Sequence, residues 1–355
     1  MKNDDIKTLL SCPVSFLADS GPDEDIALSS RIRLARNMVS YPFPGAATEE
    51  QLNGICDLVS SAACRSQTLG CPDCFTFDIA RLSILDREIL AERRLASKDF
   101  ISSPDGKRLL VKKDESCAIM VNEEDQLRIQ VLAPGFQLDK VWEKINAVDD
   151  ELSSHLDYAF DDQLGYLTAS PTNAGTGLKA SVMLHLPGLV MTGKMGATLH
   201  GINKLNLAVW GMFGEGSDNL GHLFQISNQI TLGDNESGII EKLSQVVRQL
   251  IFHEKAARMQ LLERDQASLL DYVGRAYGTL RHSYKLNSEE ALQCLSGLRL
   301  GVDLGLFDHL DIHSVNEMFL TIHPAHLQKN AGRTLSAEDQ EVFRAAYCRQ
   351  KLAKK

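Results

Sequence analysis

The sequence predicts an α+β protein. An antiparallel β-sheet flanked by helices is expected over residues 1–255, followed by an all-α domain over residues 256–355. Three observations predict this. Two period-two runs, Cys117/Ile119/Val121 and Leu127/Ile129/Val131, flank the polar turn Asn122-Glu123-Glu124-Asp125, the pattern of a β-hairpin. No regular strand–helix–strand alternation appears, so the sheet is not doubly wound. Beyond residue 256 the patterning is almost wholly helical.

The remaining elements follow in chain order. Ser29-Ser30-Arg31-Ile32-Arg33-Leu34-Ala35-Arg36 reads as an extended segment, which sends Arg31 and Arg33 to one side. Leu164–Ala169, Leu205–Trp210 and Leu223–Ile226 are strand candidates. Gly165 to Ala180 reads as a strand, a Gly- and Thr-rich turn, and then a helix. From about Ser237, Ile239, Ile240, Leu243, Val246, Val247, Leu250 and Ile251 fall on one helical face. Asn287 with Glu290, and Ser336 with Asp339, mark two later helix starts.

Composition narrows the functional classes. At 355 residues, 44% hydrophobic and 24% charged, the chain has room for about two globular domains. Its net charge of -10 argues against non-specific nucleic-acid binding, while leaving room for a local cationic pocket. The longest apolar stretches are too short to span a membrane, and the N-terminus lacks a signal-peptide layout, so a cytoplasmic protein is expected. Eight scattered cysteines read as free thiols. Cys71-Pro72-Asp73-Cys74 is a lone pair with no second pair of ligands, so no metal site is expected.

Four segments carry chemistry. Arg31 and Arg33 side by side suit a polyphosphate, because each guanidinium binds oxygens bidentately. The acidic tip Glu123-Glu124-Asp125, followed by Arg128, suits a carboxylate gripping a cation beside a phosphate-binding cation. The stretch Pro171-Thr172-Asn173-Ala174-Gly175-Thr176-Gly177 can turn backbone N–H groups toward an anion, but its spacing is neither a P-loop nor a dinucleotide fingerprint. Gly214-Glu215-Gly216 suits a loop that delivers a carboxylate on closure.

In this order and spacing, SSRIRLAR, NEEDQLR, PTNAGTGL and the Gly-Glu-Gly loop resemble the guanidino kinases, over roughly residues 25–253. GEGSDNLGHLFQISNQITLG, LKASVMLHLPGLV and the helical tail with RLGVDLGLF and PAHLQKNAG resemble the bacterial protein-arginine kinase branch. The resemblance implies a glutamine synthetase/guanidino kinase-like catalytic domain, with ATP and Mg²⁺ as cofactors. It implies that Arg31, Arg33 and Arg128 clamp phosphates, with Ser30, Lys179, Ala180, Ser181, Val182, Met183, Trp210 and Gly211 also at the nucleotide. Glu124 orients the guanidinium and takes its proton, and Glu215 is the second carboxylate. Only 28 residues precede SSRIR, where metabolite-type guanidino kinases carry a further helical domain. That implies an open site that admits an arginine side chain on a protein. A small zinc-binding activator protein, and a homodimer built through a helical domain that also reads phosphoarginine, are implied as well.

The chain departs from the family pattern at several positions. Ser170 stands for Cys, Lys179 for Arg, Trp210 for Arg, and Arg94 for a nucleotide-contacting His. The phosphoarginine-reading RDxxRA motif is reduced to Gln340-Glu341-Val342-Phe343-Arg344-Ala345. Losing one phosphate-clamping cation costs on the order of 2–4 kcal/mol of transition-state stabilisation. Two readings therefore stand beside each other: a weakened protein-arginine kinase, and a pseudokinase scaffold that binds nucleotide, arginine or partner proteins without turnover.

Overall fold

The computed structural model describes residues 3–70, 73–211 and 220–353. The strands are β1 (Ala27–Arg36), β2 (Cys74–Asp78), β3 (Arg108–Lys112), β4 (Cys117–Val121), β5 (Leu127–Pro134), β6 (Phe160–Asp161), β7 (Gly165–Tyr166), β8 (Leu178–His185), β9 (Leu207–Trp210) and β10 (Leu223–Asn228). Helices α1 (Asn3–Ser11), α2 (Ser15–Ala18), α3 (Glu49–Arg65), α4 (Ile84–Glu92), α5 (Lys98–Ser102), α6 (Leu138–Ser153), α7 (Pro187–Met191) and α8 (Met195–Lys204) lie among them. The chain then continues as α9 (Glu236–Arg264), α10 (Gln266–His282), α11 (Ser288–Asp303), α12 (Ile312–Thr321), α13 (Pro324–Ala331) and α14 (Ala337–Leu352).

Eight strands form one antiparallel sheet in the order β2-β3-β4-β5-β1-β8-β10-β9. The hairpin read from residues 117–131 is β4–β5, with Val121 opposite Leu127. Alternation divides the sheet's side chains between two faces. Ile32, Leu34, Ile119, Ile129, Val131, Ala180, Val182 and Ile226 enter the main core, beneath the apolar faces of α3, α6, α8 and α9. The opposite face is covered at its two ends. At one end Phe77, Leu109, Val111 and Met120 pack with Ile6, Leu9, Leu90 and Phe100. At the other, Leu28, Met183 and Leu223 join the core of the helical region with Leu292, Leu295 and Phe319. Between these covers the face is polar.

Two sequence expectations change here. The stretch from Leu178 is strand β8, not a helix. It lies between β1 and β10, and Leu178, Ala180, Val182 and Leu184 face the core while Lys179, Ser181 and His185 lie on the other face, a period of two that a reading of the Gly- and Thr-rich turn as a helix start passed over. The strand expected over Leu164–Ala169 shrinks to Gly165–Tyr166, paired with β6 in a separate two-stranded ribbon. The helix starts at Asn287 and Ser336 are as read: each side chain accepts the backbone N–H three residues on, from Glu290 and Asp339. Helix α9 runs unbroken through residue 255, where the two domains were expected to divide.

Candidate active site

The polar face opens into a cleft of about 1290 Å³. Arg31 and Arg33 reach it from β1, Arg128 and Gln130 from β5, Lys179 from β8, Trp210 from β9 and Gln225 from β10. The register explains this grouping, because Arg33 lies opposite both Gln130 and Lys179, and Gln225 lies opposite Trp210. Arg94 enters from the turn after α4, with Ser170, Thr172 and Asn173 at the rim. Ser288, Leu292, His323 and Pro324 of the helical region form the facing wall.

The cations crowd one another. Arg31 donates to Gln225 Oε1 at 3.1 Å. Burial, then the neighbouring Arg94 and Arg128, push its guanidinium down to about 9. Burial pushes Arg94 down to about 10. Charges held together against desolvation and mutual repulsion are relieved by a polyanion lying among them. Arg94 also sits at φ 62, a left-handed conformation that normally favours glycine after a helix. Its carbonyl accepts from Gln130 Nε2 at 2.8 Å.

At the hairpin tip the acids diverge. Glu123 pairs with Arg128 at 2.5 Å and accepts from Ser97 Oγ. Burial pushes the Glu123 carboxyl up, but Arg128 and these hydrogen bonds outweigh it and hold the group below its usual range. Glu124 is exposed at the cleft mouth. Asp125 turns inward. Its Oδ1 accepts from Asn37 Nδ2 and from the Ala169 backbone N–H, both at 2.7 Å. Asn37 in turn donates to Leu167 O and accepts from Gln126 N. This clasp ties the Glu124 tip to the segment carrying Ser170, whose hydroxyl meets Thr172 Oγ1 at 2.8 Å. Arg36 braces the same segment from below: it pairs with Asp149 at 2.7 Å, stacks on Tyr166 at 3.5 Å and donates to Thr176 O.

The cleft thus gathers Arg31, Arg33, Arg94, Glu124, Arg128, Ser170, Lys179 and Trp210. Other residues expected at the nucleotide fall elsewhere. Ser30 is buried, donating to Gly135 O and accepting from Gln137 N. Ala180 and Val182 point into the main core, and Met183 into the helical core, as strand alternation and the packed end of the sheet require. Ser181 lies under the cleft floor with its hydroxyl 3.5 Å from Arg31 O. Gly211 is buried and does not line the cleft. Glu215 lies outside the described residues. Sequence reasoning named Glu123 in the acidic tip without its pairing to Arg128, and missed Gln130 and Gln225, whose signal was a polar residue interrupting an otherwise apolar strand.

A family model described as ATP:guanido phosphotransferase, C-terminal catalytic domain, matches residues 62–257. A second, Protein-arginine kinase McsB C-terminal domain, matches residues 266–355. The chain is 43% identical over 336 residues to the protein-arginine kinase of Pelotomaculum thermopropionicum, covering 94% of each chain. It is 45% identical over 343 residues to that of Halalkalibacterium halodurans, covering 95% of this chain and 94% of the relative. It is 43% identical over 349 residues to that of Desulforamulus reducens, covering 98% of each. Among solved structures, lombricine kinase aligns with a TM-score of 0.59 at 24% identity, over 69% of this chain and 71% of that one. The duplicated taurocyamine kinase of Schistosoma mansoni aligns at 0.60 and 23% identity, over 78% and 41%. These two share the fold.

Proposed function

The chain belongs to the ATP:guanido phosphotransferase family, and from that membership we propose that it is a protein-arginine kinase, moving the γ-phosphoryl group of ATP onto arginine side chains of proteins. The observation that carries this reading is a single cleft in which Arg31, Arg33, Arg94, Arg128 and Lys179 lie beside Glu124. Five cations suit a triphosphate, and an exposed carboxylate at the mouth suits a guanidinium arriving from outside.

In this reading Arg31, Arg33 and Arg128 hold the phosphates in line with the incoming nitrogen. A guanidinium is a poor nucleophile until a carboxylate aligns it and removes a proton. Glu124 does both: the nitrogen–phosphorus bond forms, the γ-phosphorus–oxygen bond to ADP breaks, and the proton passes to Glu124. Ser170 offers a hydroxyl at the guanidinium end, and Glu215 is assigned the second carboxylate on the family pattern alone. Among the described residues no group of three or more His, Cys, Asp or Glu side chains gathers to hold a metal. Mg²⁺ is assigned to the nucleotide phosphates, where it would supply charge neutralisation. A homodimer through the helical domain, a small zinc-binding activator and a cytoplasmic location complete the proposal. No helix among the described residues is long and apolar enough to cross a membrane.

The test is direct. Purified protein is incubated with Mg-ATP and an arginine-rich protein, and phosphoarginine is sought by mass spectrometry at neutral pH, with free arginine in parallel. Phosphoarginine on the protein, lost in Glu124→Gln, is expected. Its absence from the wild-type reaction, or its appearance only on free arginine, overturns the reading.

A further inference from the structure

Arg94 enters the cleft from outside the sheet, and it sits two residues beyond a carboxylate with an unusual set of partners. Glu92 ends α4, and both its oxygens are spent on the helical region. Oε1 accepts the Ala325 backbone N–H at 2.8 Å, and Oε2 accepts the His326 N–H at 3.0 Å and meets His326 Nδ1 at 2.5 Å. These are first-turn amides of α13, which a helix leaves without internal acceptors and which carry its positive dipole end. Lys329 of the same helix pairs with Asp86 of α4 at 2.8 Å. Between Glu92 and Arg94, Arg93 is buried, pairs with Glu115 at 2.5 Å and donates to Cys12 O at 2.8 Å. The tripeptide Glu92-Arg93-Arg94 is thus tied to the helical region, to β4's approach and to the N-terminal segment, and its last side chain enters the cleft. His323, which immediately precedes α13, lines the facing wall and lies in the field of both Glu92 and Arg94.

We propose that Glu92 is a positioning residue for the nucleotide. By capping α13 it fixes Arg94 and His323 on either side of the cleft, so that the helical domain is a working part of the nucleotide site. This rests on the cleft being where Mg-ATP binds. Arg94 holds a left-handed backbone conformation with a long side chain, and such a conformation persists only where its surroundings fix it. Releasing the end of α4 from α13 lets the turn relax and takes the guanidinium out of the cluster.

The full-length protein is used, with Glu92→Gln, Arg94→Ala and the double variant. Glu92→Gln keeps the side chain's shape and one oxygen acceptor but removes the charge that faces the α13 amides. It is expected to raise the KM for Mg-ATP on the order of tenfold. The KM for the arginine-bearing protein stays unchanged. In the Arg94→Ala background, Glu92→Gln should add little further loss, because its effect passes through Arg94. Hydrogen exchange at Ala325 and His326 should slow when nucleotide is added to the wild type, since coupling between two sites is reciprocal. A folded Glu92→Gln protein with an unaltered KM for Mg-ATP overturns the inference, as does a loss that adds fully to that of Arg94→Ala. Failure of the wild type to bind Mg-ATP at all strikes instead at the cleft's assignment.

Discussion

At the scale of single residues, the proposed site departs from the family pattern that the sequence resembles. Lys179 keeps a charge but loses the planar fork that binds two oxygens at once. Trp210 brings an indole whose Nε1 is buried without an acceptor among the described residues. Trp210→Arg is expected to raise kcat about tenfold or more, because one electrostatic donor is worth that much at a transition state; steady-state kinetics with saturating Mg-ATP checks it. Glu124→Gln should lower kcat roughly 10²–10⁴-fold, the usual weight of a general base, with nucleotide binding by calorimetry unchanged. The residues that converge were legible because Arg31, Arg33, Glu124 and Arg128 sit in strand and hairpin patterns whose period is visible. Ala180, Val182 and Met183 were misplaced because the stretch was read as a helix; as strand β8, Ala180 and Val182 face the core, on the side opposite Lys179, and Met183 lies where the helical region packs on the sheet.

At the scale of elements, the hairpin tip and the Ser170 segment come from distant parts of the chain and act as one piece. Asp125 sits at their join. Burial pushes its carboxyl up, while the Ala169 and Asn37 hydrogen bonds pull the other way. Asp125→Ala removes both bonds and leaves Asn37 Nδ2 and the Ala169 amide short of an acceptor. Glu124 and Ser170 then drift relative to each other. Displacements near 1 Å cost about a hundredfold in rate, so kcat is expected to fall by about tenfold to a hundredfold. Arg31 and Arg33 lie on β1 and Arg128 is held by its own pairing with Glu123, so the KM for Mg-ATP should hold; kcat and KM measured separately decide the point. The sequence announced the hairpin, but Asn37 at the end of β1 carried no local signal of a clasp, since its partners lie 88 and 130 residues away.

At the scale of the whole molecule, the sheet's far end meets the helical region through buried polar groups. His185 is fully buried against Ser296 and Arg299, and burial, with Arg299 and Arg258, holds it well below the ordinary imidazole range. Burial pushes His323 down to about 4. Both groups are neutral in the folded state. Their contribution to stability is complete above the unfolded value near 6.5 and is lost as pH falls through the window toward 4. For His323 the loss amounts to about 3 kcal/mol across that window. Asp303, which burial pushes up to about 6, binds its proton more readily in the folded chain and offsets part of this loss. Thermal melts between pH 4 and 7 should show Tm falling with acid, with a shallower slope in His323→Asn. A melt at neutral pH with Mg-ATP should show Tm rising, because a ligand bound only to the folded state stabilises it by mass action.

Helix α9 has a consequence for anyone dividing this protein. Its first half lies on the sheet through Ile240, Leu243 and Val247. Farther along, Glu254 holds the Gly188 and Leu189 amides, Arg258 reaches Asp303 at 3.3 Å, and Leu261 packs with Leu269 and Leu300. A 29-residue helix thus packs in both regions. Scissors placed at residue 255 would leave each fragment with an open seam of unmatched charge and grease, so neither is a fair proxy for the enzyme.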